Sequence, residues 1–215
     1  MTYVRGDAAV FDSWEKLGNP GWNWESLYPY FKKAENYTTP NAEQVAMGAR
    51  YEDEYHGRDG PVHVGYPPFL VENDAQPVLA KAWEALNLQK NNDFNDGKVR
   101  GYAIGPQTLD AELGIRYDSA RAYYSPAEGR KNLRILKGTV SKIVWKTERS
   151  KTGDVVADGV EYVDVEGATK KLKAKREVIV SAGSLRTPLV LEASGVGDSR
   201  YVSSSWSRDT STPCD

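Results

Sequence analysis

The hydrophobic period of this chain switches from 3.6 to 2 near residue 131, and that switch bounds the fold. The segments before it are mainly of helical spacing, and alternating runs set in after it. In Asp7 to Leu17 the positions Val10, Phe11, Trp14 and Leu17 share one helix face, and Gly18 supplies a left-handed stop. Asn19-Pro20-Gly21 is a turn, and Asn23 caps a second helix with an inner stripe of Leu27, Tyr30, Phe31 and Ala34. Pro29 is expected near that helix's first turns, where a missing N–H costs little. Residues 38–60 read as irregular, and Pro61 to Gly65 as a short strand. Asp74 can cap a third helix to about Leu88, with Val78, Leu79, Ala82, Trp83 and Leu86 inward. A fourth short helix spans roughly Asp118 to Tyr124.

Beyond the switch, Leu133 and Ile135, then Val140, Ile143 and Val144, read as strands. Asp158 to Val165 and Lys170 to Lys175 follow across tight connections, which predicts an antiparallel meander. Val178-Ile179-Val180 is a continuous apolar run, as expected of a strand covered on both faces. It ends in small residues and passes into a helix at Ser184, with Leu189, Val190, Leu191 and Ala193 apolar and Gly195 as its stop. Ser199 to Asp215 has no period and is expected to be an unstructured tail.

Composition narrows the function classes. The 28 basic and 30 acidic side chains nearly cancel, which argues against a protein that binds nucleic acid by neutralising phosphates. One cysteine, Cys214, leaves no intrachain disulfide and no multi-cysteine zinc site. No apolar run has the ~18 residues of a membrane helix. The N-terminus shows no apolar signal-peptide segment, and the sequence assigns no compartment.

The strand, small turn and helix at residues 177–195 are the strongest candidate for chemistry. Ser181-Ala182-Gly183-Ser184 lets another group approach the backbone, and a helix start offers free N–H groups. The same small residues also serve simple helix-on-strand packing. No dinucleotide fingerprint is present: Gly195-Val196-Gly197 follows a helix and lacks the third glycine. His56 in a turn and His63 on a strand have no sequence neighbour that would orient a base, so both read as structural or exposed. Lys171, Lys173 and Lys175 alternate as the wet face of an outer strand.

Gly183-Ser184-Leu185-Arg186-Thr187-Pro188 through Ser194-Gly195-Val196-Gly197 resembles the second signature of the glucose–methanol–choline (GMC) flavin oxidoreductases. Tyr3-Val4-Arg5-Gly6 and Trp14 to Trp24 resemble the stretch after that family's first signature. His56-Gly57 to Val64 resembles the entry to its substrate domain, and Arg116 to Pro126 and Asn132 to Val144 the return to its flavin domain. The resemblance covers roughly residues 1–198.

It implies an α/β chain, α+β overall: part of a doubly wound FAD-binding domain with a β-meander, plus part of an antiparallel-sheet substrate domain. The implied division is 1–50 as helical FAD-domain segment, 51–114 as substrate domain, 115–198 as FAD domain and 199–215 as an unrelated tail. The implied chemistry is FAD-dependent oxidation of the CH–OH group of a small alcohol or sugar, with no nucleic-acid or membrane partner. Thr2 and Tyr3 match the loop against the flavin, Val140 the residue whose backbone meets the adenine, and Ser181, Ala182 and Gly183 the close-approach turn. The family's pyrophosphate-gripping loop and its catalytic histidine have no counterpart among these residues, so no catalytic residue is assigned and the chain alone is expected to be inactive. A non-catalytic interaction module, or a second chain supplying the missing parts, are the alternatives.

Overall fold

The computed structural model describes residues 2–72 and 75–198, which fall into two compact units divided between Leu133 and Arg134. Asp74 and the expected tail lie outside the described residues.

The first unit opens on a corner of two helices. Helix α1 (Ala8–Lys16) is capped by Asp7, whose carboxylate accepts the Ala9 N–H at 3.0 Å, and Gly18 follows it at φ +97°. Helix α2 (Trp24–Ala34) starts at Asn23, which accepts the Ser26 N–H at 2.8 Å. Glu15 fastens the turn by accepting from the Gly21 N–H (2.9 Å) and the Asn23 amide (2.8 Å). Both helices exist where periodicity placed them, but their buried faces are narrower. On α1 only Phe11 is buried, ringed by Trp14, Trp24 and Phe31 at 5.1–5.7 Å, while Leu17 is 80% exposed. On α2 Tyr30 points outward and the half-buried Tyr28 takes its place, stacking on Trp24. Pro29 falls inside α2, past the first turn, and leaves the Glu25 carbonyl without its helical donor.

Strand β1 (Glu35–Tyr37) leaves α2 directly and pairs in parallel with β2 (Val62–Val64). Between them, the stretch expected to be irregular holds α3 (Ala42–Ala46), closed by a reciprocal capping box of Asn41 and Gln44. The core gathers here: Tyr37, Ala49, Val64, Tyr66 and Leu70 are buried, with Tyr3, Tyr51, Val62 and Ile104 around them. The loop from Gly57 to Gly60 lies flat on the end of α2. A Cβ on Gly57 would sit 1.8 Å from the Lys32 carbonyl oxygen, so glycine is the residue that fits.

Helix α4 (Ala75–Ala85) keeps Trp83 inward as expected, but the rest of the expected stripe is exposed. Gln76, Ala80 and Trp83 are half-buried, with Trp83 against Tyr102 at 5.4 Å. Val78, Leu79 and Leu86 are exposed at 68%, 44% and 71%. The largest ring, which has a partner in Tyr102, sets the rotation of the helix, and the aliphatic stripe follows passively. A short hairpin, β3 (Leu109–Asp110) with β4 (Ile115–Arg116), and a π-helical turn at Ala120–Tyr124 complete the unit.

The second unit is the expected meander. Strands β5 (Gly138–Trp145), β6 (Ala157–Asp164) and β7 (Thr169–Lys173) pair antiparallel in that order. β5 carries irregularities between Val140 and Lys142 and between Val144 and Trp145. β7 is a fully exposed edge whose lysines answer acids on the sheet: Lys170 to Asp164 at 2.5 Å, Lys171 to Glu161 at 3.7 Å, Lys173 to Asp158 at 3.9 Å. Two expected strands do not form. Leu133 to Ile135 and Val178 to Val180 have no paired neighbour among the described residues, and Ile179 is 77% exposed rather than covered. A strand needs a hydrogen-bonded neighbour, which an apolar run cannot supply for itself. A doubly wound parallel sheet is therefore not found among the described residues. No helix among them is long and apolar enough to cross a membrane.

Helix α5 (Arg186–Ala193) is fastened to β5 by one residue. Ser194 Oγ accepts the Ile143 N–H at 2.7 Å and donates to the Val190 carbonyl at 2.5 Å, while the Ser194 carbonyl accepts the Trp145 indole N–H at 2.6 Å. Ser194→Ala would strand the buried Ile143 N–H. It is expected to destabilise the second unit by about 1–3 kcal/mol, measured by chemical denaturation followed through Trp145 fluorescence.

Candidate functional site

The positions that the family resemblance matches to cofactor contact divide between the units. Thr2 and Tyr3 belong to the first. Thr2 bridges to Gln107, and Tyr3 donates its N–H to the Pro106 carbonyl at 2.9 Å. Val140, Ser181, Ala182 and Gly183 belong to the second. Val140 lies on the outer strand β5 opposite Tyr162, beside an irregularity, and is 44% exposed. Ser181 to Gly183 are exposed and run into α5. There the Ala182 N–H donates to Thr187 Oγ1 at 3.0 Å and the Thr187 N–H returns to the Gly183 carbonyl at 2.9 Å. Gly183 holds φ +87°, with no atom within 4 Å of where a Cβ would stand. That opening suits the edge of a flat cofactor, because backbone and small side chains face free space. The turn thus leaves room for a flat group to approach its backbone, and Ser194 links the turn's helix to the strand bearing Val140.

The most highly organised group of side chains lies elsewhere, in the first unit. Arg5, Glu35, His56 and Asp93 form a buried ionic chain. Arg5 Nη2 meets Glu35 Oε2 at 2.5 Å, His56 Nδ1 meets Glu35 Oε1 at 2.9 Å, and His56 Nε2 meets Asp93 Oδ2 at 2.8 Å. None of the four side chains is more than 3% exposed. Each carboxylate is used further. Glu35 Oε2 accepts the Gly57 N–H at 2.8 Å. Asp93 Oδ2 accepts the Glu52 N–H at 3.0 Å, and Oδ1 the Asn95 N–H at 2.9 Å and its amide at 3.1 Å. Arg5 also donates to the Tyr55 carbonyl and, at 3.3 Å, to that of Asn95. The Tyr37 ring stacks on His56 at 3.7 Å.

Ionised carboxylates only accept, so while Glu35 and Asp93 are both ionised both nitrogens of His56 donate and the ring is an imidazolium. Two cations and two anions then balance inside the protein, and removing one member would leave an uncompensated buried charge at about 3–5 kcal/mol. Burial alone disfavours the imidazolium, but the hydrogen bonds to Asp93 and Glu35 outweigh it and raise its pKa above the ordinary 6.5. Burial also pushes the Asp93 carboxyl up, and the bonds from His56, Glu52 and Asn95 outweigh that and hold it below 3.8.

His56 is thus structural, as the sequence led one to expect, but its partners were missed. They lie 21 and 37 residues away, beyond any local pattern. His63 stacks on Tyr117 at 4.0 Å and lies 3.8 Å from Asp110 Oδ2, half-exposed. No cluster among the described residues could hold a metal ion.

The stability carried by this chain has a defined pH window. The raised His56 pKa contributes stability fully present below 6.5 and lost as pH rises through the raised value. The lowered Asp93 pKa contributes stability present above 3.8 and lost as pH falls through the lowered value. Thermal unfolding of the first unit, followed by near-UV circular dichroism, is expected to plateau between these limits. In His56→Gln the alkaline decline should vanish.

A family model described as GMC oxidoreductase matches residues 1–207. The glucose oxidase-like protein fsoC of Humicola fuscoatra is 55% identical over 187 residues, covering 87% of this chain and 32% of that protein. An FAD-dependent oxidoreductase from Chaetomium thermophilum superposes with a TM-score of 0.80 at 34% identity, over 91% of this chain and 33% of the other. A fungal aryl-alcohol oxidase does so at 0.79 and 26% identity, over 94% and 34%. The chain spans about one third of the length of these relatives. FAD is the cofactor of the family they represent. The chain belongs to the GMC oxidoreductase family.

Proposed function

We propose that these 215 residues are the part of an FAD-dependent GMC oxidoreductase that supplies flavin-contacting segments and a portion of the substrate domain. The overall reaction is oxidation of the CH–OH group of a small alcohol or sugar. The observation that carries this is the open turn at Ser181, Ala182 and Gly183, held against β5 by Ser194, inside a chain matched by the family model over residues 1–207. FAD, when bound, accepts hydride from the alcohol carbon. The proposed division follows the resemblance: 1–50 and 115–198 serve the flavin domain, 51–114 the substrate domain. Thr2 and Tyr3 would bind the flavin end of the cofactor, Val140 its adenine through the backbone, and Ser181 to Gly183 its close approach.

Neither histidine is placed to take the alcohol proton. His56 has both nitrogens committed to carboxylates, and His63 leans on Asp110 and Tyr117. A base must reach the proton it removes. The 215 residues alone are therefore proposed to lack turnover.

The test uses two proteins. The 215-residue chain mixed with FAD should give no alcohol-dependent bleaching of the flavin band; bleaching with glucose or benzyl alcohol would contradict the proposal. A chimera carrying residues 1–198 in place of the matching third of the Humicola relative should bind FAD and reduce it with an alcohol. A folded chimera that takes up no FAD would remove the assignment.

A further inference from the structure

Arg5 stands two residues from Tyr3 and ties the N-terminal segment to three distant parts of the first unit. Through Glu35 it is tied to β1, through the Tyr55 carbonyl to the loop before His56, and through the Asn95 carbonyl to the loop holding Asp93. Its guanidinium also lies 5.9 Å from the Tyr3 ring centre and 5.5 Å from that of Tyr28. The segment's other anchors are main-chain contacts of Thr2 and Tyr3 with Gln107 and Pro106, and Gln107 in turn exchanges hydrogen bonds with Gly65. Nothing in that ladder carries charge. The ionic chain is the part of the anchor whose strength depends on a proton.

We propose that Arg5, Glu35, His56 and Asp93 are positioning residues that hold Thr2 and Tyr3 in one conformation for the flavin, and that the hold requires His56 as an imidazolium. The inference rests on the cofactor contact proposed above for Thr2 and Tyr3. The groups facing His56 are the carboxylates of Glu35 on β1 and Asp93 on the 91–96 loop, and the Tyr37 ring. Arg5 acts on it through Glu35. Asp53 lies near it on the preceding turn, already paired with Arg58, which also covers the Tyr37 ring at 5.2 Å. When His56 loses its proton, one ring nitrogen faces a carboxylate oxygen as acceptor to acceptor. The net negative charge then stays buried beside Arg5, and the link from Glu35 to Asp93 opens.

Amide hydrogen exchange on the 215-residue chain tests this without flavin. The Tyr3 N–H (to Pro106) and the Asn95 N–H (to Asp93) report the clamp. The Thr38 N–H, bound to the Val64 carbonyl at 2.8 Å, reports the sheet of the same unit. In His56→Gln the protection of Tyr3 and Asn95 relative to Thr38 is expected to fall at least tenfold, and Arg5→Lys, which keeps the charge, should retain most of it. Equal loss at all three amides would mean the chain merely stabilises the unit and would overturn the proposal, as would no loss. If His56→Gln does not fold, the unmodified chain decides. The ratio of Tyr3 to Thr38 protection, corrected for intrinsic exchange, must drop at least tenfold as His56 deprotonates; a constant ratio would overturn it. In the FAD-loaded chimera, His56→Gln should alter the visible circular dichroism of the bound flavin. A chimera that takes no FAD counts against the cofactor assignment, and the exchange ratios still judge the clamp.

Discussion

A single imidazolium between two buried carboxylates holds the first unit together. His56 links Glu35 at the junction of α2 and β1 to Asp93 in the 91–96 loop, and Arg5 extends the link to the N-terminal segment. Buried ion pairs are poor sources of net stability, because desolvation consumes most of the attraction. Their strength lies in geometry: four side chains bound to each other and to the backbone of Tyr55, Gly57, Glu52 and Asn95 permit few alternative arrangements. The glycines at 57 and 60 serve the same joint, since only bare backbone lets the loop after His56 lie on the end of α2.

The second unit is built on a different principle. Its three strands follow from alternation and tight turns, its edge lysines are neutralised by acids on the same sheet, and one serine fastens its helix. It leaves Ile179, Leu185 and Leu189 exposed at 77%, 84% and 59%. These surround the open Gly183 turn in sequence, where the family resemblance expects cofactor and a parallel sheet.

Local signals in the sequence were legible and long-range ones were not. Gly18 and Asn23 marked their helix ends because capping is settled within four residues. The meander was legible because its register is set by adjacent strands. The inward face of α4 was misread because Tyr102, far along the chain, decides which side of the helix is covered. Val178 to Val180 was misread because strand identity belongs to a pair. At the candidate site, the small turn at 181–183 announced itself by residue size. The ionic chain had only a histidine before a glycine and an Asn-Asp cluster at 91–96 to suggest it. Neither pointed to Arg5 or Glu35, and only folding brings them within reach.

The most direct measurement is the nitrogen-15 spectrum of the His56 ring as a function of pH. Hydrogen bonds from both nitrogens to carboxylates hold two protons on the ring and raise its pKa above the ordinary 6.5. Two imidazolium-type signals from His56 persisting above pH 6.5 are the predicted result. A His56 ring that is mostly neutral at pH 6.5 in the folded chain would contradict the account at its centre.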